Sequence, residues 1–192
     1  MDWITFFDAS SGRDVRPLLP RALELRGDTA PGVAVDLGCG DGTESRYLAT
    51  NDWRVHAFDG ARDTERRVVA GLSPEDAARI TATRVTFEDI ESLPANELTY
   101  AGRSLPFCVE PEFPRLWTLI RRSLITSGLF VGDFFGLNDS WAGRPGMNFH
   151  SRKEIEGLLD GLDILELTEH EGPATTPFGD KYMHILTVIA RA

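Results

Sequence analysis

The run Val33-Ala34-Val35-Asp36-Leu37 passes into alternate glycines at Gly38, Gly40 and Gly42, and then into Thr43-Glu44-Ser45-Arg46-Tyr47-Leu48. The first five residues are apolar and partly β-branched, the pattern of a buried strand. The last six read as the start of a helix. Strand, glycine turn and helix together bring bare backbone up to a ligand, because glycine has no Cβ to block the approach. The spacing narrows the kind of ligand. A dinucleotide fingerprint is G-x-G-x-x-G, with the pyrophosphate on the helix N-terminus. Here the order is G-x-G-x-G, with Asp36 just before the turn and Asp41 inside it. Two carboxylates beside the turn repel a pyrophosphate and suit a cationic ligand without phosphate.

S-adenosylmethionine, with its sulfonium, ammonium and ribose hydroxyls, meets that description. The string VDLGCGDGTE resembles motif I of the class I S-adenosylmethionine-dependent methyltransferases. Two other readings stay open on the residues alone: an α/β protein whose glycine turn holds no ligand, and a nicotinamide enzyme, which the third glycine's position disfavours.

The resemblance implies a Rossmann-like, doubly wound α/β fold. Its seven-stranded sheet has order 3-2-1-4-5-7-6, with the last strand antiparallel and helices on both faces. At 192 residues the chain has the length of one domain. We expect a single methyltransferase domain over 1–192, with an N-terminal helical cap at 1–32 and a Rossmann-like core at 33–192. Within the cap, Leu18, Leu19, Ala22, Leu23 and Leu25 fall on one face of a short helix, and Trp3, Phe7 or Arg13 could line the mouth of a site.

Strands are expected at 54–58, 82–87, 98–101, 129–136, 162–167 and 183–190. Helices are expected at 43–50, over 61–79 with a restart where Ser73 caps and Pro74 opens a first turn, at 111–124 and at 151–160, the last with Ser151 as N-cap and Glu154 completing a capping box. Residues 168–182, with Gly172-Pro173 and Pro177-Phe178-Gly179, read as a loop. The polar and aromatic stretch 137–150 follows a central strand and is expected on the substrate side.

Asp59 lies 21 residues beyond Gly38, at the end of the second strand. That is where open α/β sheets place a carboxylate for ribose hydroxyls. It matches the acid of motif II, and a helix-capping role is the alternative. Carried onto this chain, the resemblance implies cofactor contacts by Asp36, Gly38, Cys39, Gly40, Asp59 and Gly60. It adds Asp89 and Ile90 at the adenine end, and Ala101 where A-x-x-S-L-x-F resembles motif IV. The S-L-P-F and F-H-S-R-K-E segments are similar to those of compact tellurite-resistance-type methyltransferases.

Methyl transfer from a sulfonium needs a general base only where the acceptor has a high pKa. His150 and His184 are the candidates, with packed structural roles as the alternative. A base-methylating N-P-P-Y or D-P-P-Y motif is absent, and a net charge of −10 disfavours nucleic acid. Cys39 and Cys108 form no metal-binding or redox spacing, so no metal is expected. A small-molecule acceptor, a cytoplasmic setting and no membrane partner complete the expectation, with oligomeric state undetermined.

Overall fold

The computed structural model describes residues 7, 12–176 and 178–192. Its elements begin with α1 (Leu18–Arg26), β1 (Val33–Leu37), α2 (Thr43–Thr50), β2 (Arg54–Asp59), α3 (Thr64–Val68), α4 (Pro74–Ala77) and β3 (Ile80–Arg84). They continue with β4 (Asn96–Ala101), α5 (Phe113–Ser123), β5 (Leu124–Phe135), α6 (Arg152–Leu158), β6 (Asp163–Thr176) and β7 (Gly179–Arg191). The strands form one sheet of order β3-β2-β1-β4-β5-β7-β6, the order expected from the sequence. Strands β1 to β5 pair in parallel, and β7 runs antiparallel to both β5 and β6. The chain leaves β1 toward β2 on one side and reaches β4 on the other, so a crevice opens at the carboxyl ends of these strands.

Alternation along β1 divides the core. Val35 and Leu37 join one cluster with Leu116, Trp117, Phe130 and Ile155. Ala34 joins the other, with Leu19, Leu48, Trp53, Leu98 and Leu129. Asp36 points to that second side, toward α2. In α5, Phe113, Leu116, Trp117 and Ile120 are buried at helical spacing. The Trp117 indole N–H donates to the Leu158 carbonyl at 3.1 Å, joining α5 to α6. The expected capping box of Ser151 and Glu154 opens α6.

The helical stretch 61–79 is two short helices separated by Gly71 with φ of 78°, the second restarting at the expected Ser73 N-cap with Pro74 in its first turn. Two segments depart from the sequence expectation. Strand β3 ends at Arg84, three residues before the expected Phe87. Residues 168–182, expected as a loop, belong mostly to a hairpin in which β6 pairs with β7 from Asp163↔Arg191 to Thr176↔Gly179. Strand β6 is the sheet edge, where a proline such as Pro173 costs no interior ladder bond. Its many exposed polar residues are those of a solvent-facing strand. A third apolar cluster, Phe135, Trp141, Met147, Met183 and Ile185, ties the hairpin to the segment after β5.

Candidate active site

Gly38, Gly40 and Gly42 have φ of 73°, 54° and 78°, in the left-handed region that side chains disfavour. A Cβ on Gly38 would run into Ser104, and one on Gly42 would lie 2.6 Å from the Val68 Cα. The turn is joined to the end of β2. The N–H groups of Gly38 and Cys39 both donate to the Phe58 carbonyl, at 2.8 and 3.1 Å. The Gly40 N–H donates to one Asp59 carboxylate oxygen at 2.9 Å, and the Ala61 N–H to the other at 2.8 Å. Burial raises the Asp59 pKa, and these two N–H groups oppose the rise.

Charge is concentrated around the turn. Asp36 is buried and accepts a hydrogen bond from the Ser45 hydroxyl at 2.6 Å. Burial pushes its carboxyl up to about 8 against the opposition of Ser45, with the negative charges of Glu44 and Asp59 adding to the rise. Glu44 is also buried, yet its pKa is lowered. Desolvation opposes its charge, but the Arg13 guanidinium grips both carboxylate oxygens, at 2.7 and 2.5 Å, and the Arg16 N–H donates at 3.1 Å. Arg13 also pairs with Asp41 at 3.1 Å. The segment before α1 is thereby strapped across the start of α2.

A cavity of about 530 Å³ opens from the turn, within the usual small-ligand range of roughly 300–1,000 Å³. Phe7 covers the glycines; a Cβ on Gly40 would sit 3.0 Å from its ring. Tyr100, beside Asp36 in the sheet register, is buried, and its hydroxyl has no hydrogen-bond partner among the described residues. Desolvation, then the charges of Glu44 and Asp133, hold the phenol pKa well above its ordinary value, so the group is a donor. The far end of the cavity is walled by Phe107, Phe135, Trp141, Phe178 and Met183. There Lys181 pairs with Asp139 at 2.6 Å, both side chains almost wholly inaccessible. The ammonium lies 3.7 Å from the Trp141 ring centre and 4.4 Å from that of Phe135.

Of the residues picked out by sequence, Asp36, Gly38, Cys39, Gly40, Asp59 and Gly60 all line the cavity. Phe7 and Arg13 line it too, whereas Trp3 lies outside the described residues. Asp89, Ile90 and Ala101 are placed off the wall. Because β3 ends early, Thr86, Phe87 and Glu88 take the lining positions. Asp89 is exposed and accepts from the Thr86 hydroxyl at 2.8 Å, and Ile90 and Ala101 are core residues.

Neither candidate histidine reaches the cavity. The His150 ring lies 4.6 Å from Phe113 and 5.6 Å from Phe134, centre to centre, and burial lowers its pKa. His184 packs under Gly136, accepting from the Asn138 N–H at 3.1 Å through Nδ1 and meeting Glu169 at 2.9 Å through Nε2. That tautomer directs an N–H, not a lone pair, toward the Glu169 and Glu171 carboxylates, so the trio is a hydrogen-bonded cluster. Both cysteines are buried with raised pKa values, Cys108 to about 12. Sequence reasoning missed Tyr100 and Lys181 as lining residues, whereas Trp141 lies in the stretch 137–150 expected on the substrate side. The signal for Lys181 was the alternation Lys181, Met183, Ile185, hidden by reading 168–182 as a loop.

Residues 23–97 match the family model described as tellurite resistance protein TehB. No curated protein sequence matches the chain significantly. Among solved structures it is similar to TehB from Haemophilus influenzae, with TM-score 0.72 and 17% identity over 90% of this chain and 61% of that one. The chain thus spans about three-fifths of that TehB. It is also similar to the N-methyltransferase NodS from Bradyrhizobium japonicum in complex with S-adenosylhomocysteine, with TM-score 0.67, 16% identity and 97% of each chain covered. A third is the 1,6-didemethyltoxoflavin-N1-methyltransferase of Burkholderia thailandensis, with 1,6-didemethyltoxoflavin and S-adenosylhomocysteine bound. There the TM-score is 0.63 and the identity 17%, over 98% of this chain and 84% of that one. The chain has the Rossmann-like fold of the class I S-adenosylmethionine-dependent methyltransferases. No helix among the described residues is long and apolar enough to cross a membrane.

Proposed function

We propose that this chain, with its methyltransferase fold and its TehB-type first half, is an enzyme that transfers a methyl group from S-adenosylmethionine to a small-molecule acceptor. One observation carries the reading. The left-handed glycine turn is fastened by Gly40 to the Asp59 carboxylate, at the mouth of a cavity that continues beyond the turn to an aromatic end. The donor set fits a hydroxylated cation. Asp59 keeps lone pairs for ribose hydroxyls, Asp36 can ionise against an ammonium or sulfonium, and the Tyr100 hydroxyl, without a partner among the described residues, can donate to a carboxylate. Gly38 and Gly40 leave room for close approach to the main chain.

Bound there, S-adenosylmethionine supplies an electrophilic methyl with a thioether as leaving group. The remaining tasks fall to the protein: alignment of the acceptor and exclusion of water. Phe7 over the turn and Arg13 across α2 close the near end, and Trp141 and Phe178 wall the far end. With His150 and His184 off the cavity, no histidine serves as base in this reading. The acceptor atom is one that is already nucleophilic at neutral pH. The toxoflavin enzyme and NodS, by their names, act on small molecules or nitrogen atoms, which supports the acceptor class proposed here.

Calorimetry with S-adenosylmethionine, S-adenosylhomocysteine and NAD tests the cofactor. The first two should bind and NAD should not. Release of S-adenosylhomocysteine in the presence of thiols, phenols and amines then tests turnover. Binding without turnover on any acceptor would favour a cofactor-binding regulatory subunit instead.

A further inference from the structure

Every acid lining the cavity already has a partner within the chain. Asp41 and Glu44 are held by Arg13, Asp59 by two N–H groups, Asp36 by Ser45, and Glu88 accepts from the Val109 N–H at 3.3 Å. Lys181 is neutralised by Asp139. That leaves Arg16 and Arg103, which line the same cavity and whose guanidinium groups have no ion pair or hydrogen bond among the described residues. They are close enough to each other, and Arg103 to Lys181, for their charges to be felt mutually. Two guanidinium groups without an ion-pair partner stand out in a chain of net charge −10, although Asp133 lies near both and Glu44 near Arg16.

The backbone of Arg103 is also unusual. It is left-handed, with φ of 56°, in a non-glycine residue at the carboxyl end of β4. Its N–H is fixed by the buried Asp133 carboxyl at 3.0 Å, and Asp133 in turn accepts from the Thr187 hydroxyl at 2.7 Å. A strained residue held from below by a buried group is a recurring feature of ligand sites. Next to it the aromatic walls converge: Phe107 to Phe135 at 6.2 Å, Phe135 to Trp141 at 6.3 Å, and Trp141 to Phe178 at 6.0 Å between ring centres. The Lys181–Asp139 pair fixes the main chain at Trp141, whose backbone N–H donates to Asp139 at 2.9 Å.

We propose that the acceptor is a planar aromatic molecule bearing a carboxylate, its ring between Phe107, Phe135 and Trp141 and its charge against Arg103 and Arg16. Flat rings gain from edge and face contact with such walls. A guanidinium fork matches a carboxylate in geometry as well as charge. The inference rests on the methyltransferase reading above and names the acceptor for that same site.

The experiment is calorimetric titration of the S-adenosylhomocysteine complex with 2-naphthoate, its neutral isostere 2-naphthamide and cationic 2-naphthylmethylamine. Naphthoate should bind about tenfold or more tightly than the amide, the effect of a charge-assisted hydrogen bond. The amine should bind weakest. Arg103→Gln and Arg16→Gln should each erase most of the preference for naphthoate while leaving naphthamide binding unchanged. Added salt should narrow the gap, since Arg103 is exposed. Equal binding of naphthoate and naphthamide, tighter binding of the amine, or no naphthoate binding at millimolar concentration would overturn the assignment. Failure of S-adenosylhomocysteine itself to bind would instead overturn the methyltransferase reading.

Discussion

The Gly40 N–H donates to the Asp59 carboxylate at 2.9 Å, so the tip of the glycine turn after β1 is fastened to the end of β2. The partners are 19 residues apart in the chain. Two neighbouring parallel strands, in register from Val33↔Arg54 to Leu37↔Phe58, bring them together. The acid that answers the turn is therefore also the one best placed to answer a ribose, and the first prediction concerns it.

Asp59→Ala should weaken S-adenosylhomocysteine binding by roughly 2–3 kcal/mol, the scale of lost hydrogen bonds to a charged group. Calorimetry reads this directly. Unaltered affinity would mean that the ribose lies elsewhere.

Gly40→Val should abolish cofactor binding. A β-branched residue cannot readily adopt φ of 54°, and its side chain would enter the space below Phe7. Thermal unfolding run beside the titration separates the two effects. A variant that keeps both its melting temperature and its affinity would refute this description of the turn.

Asp36 makes stability depend on pH. An acid whose pKa rises from roughly 4 in the unfolded chain to about 8 in the native one binds its proton more tightly when folded. Its contribution is therefore complete below the unfolded value, is lost as pH climbs through the native value, and is level above it. Denaturant unfolding of the ligand-free protein across that window should show a shallower slope for Asp36→Asn. Superimposable slopes would remove Asp36 from the account. A cationic ligand favours the carboxylate, so cofactor binding near neutral pH should release a proton, visible as a buffer-dependent binding enthalpy.

Lys181→Met strands the Asp139 carboxylate in the interior and should destabilise the fold by about 3–5 kcal/mol. The double variant with Asp139→Asn should recover part of that loss. Melting temperatures of the four proteins test it; a double variant no better than the single one would show that the charge pair is not what the hairpin depends on.

Much of this was legible in the chain because it is local. The glycine spacing dictates a left-handed turn, and apolar runs such as 129–135 dictate buried strands. Ser151 with Glu154 dictates a helix start, and Asp59 follows from its place at a strand end. Those features depend on neighbours a few residues away, whose steric and hydrogen-bonding preferences act before any tertiary contact forms. The edge of the sheet is different. Glycines and prolines at 172–179 weaken any local preference for a strand, and only pairing with β7, itself anchored on β5, makes the segment extended. That pairing sets a Lys181 charge beside Trp141 and Asp139, some 40 residues back in the chain. It also sets His184 against Glu169, while α5 and β5 enclose His150 between Phe113 and Phe134. The strand register at β3, a balance of hydrogen bonds with β2, moved the lining from 89–90 to 86–88. Tertiary structure decided which polar groups share the cavity, because electrostatic and aromatic contacts depend on distance in space and not on spacing along the chain.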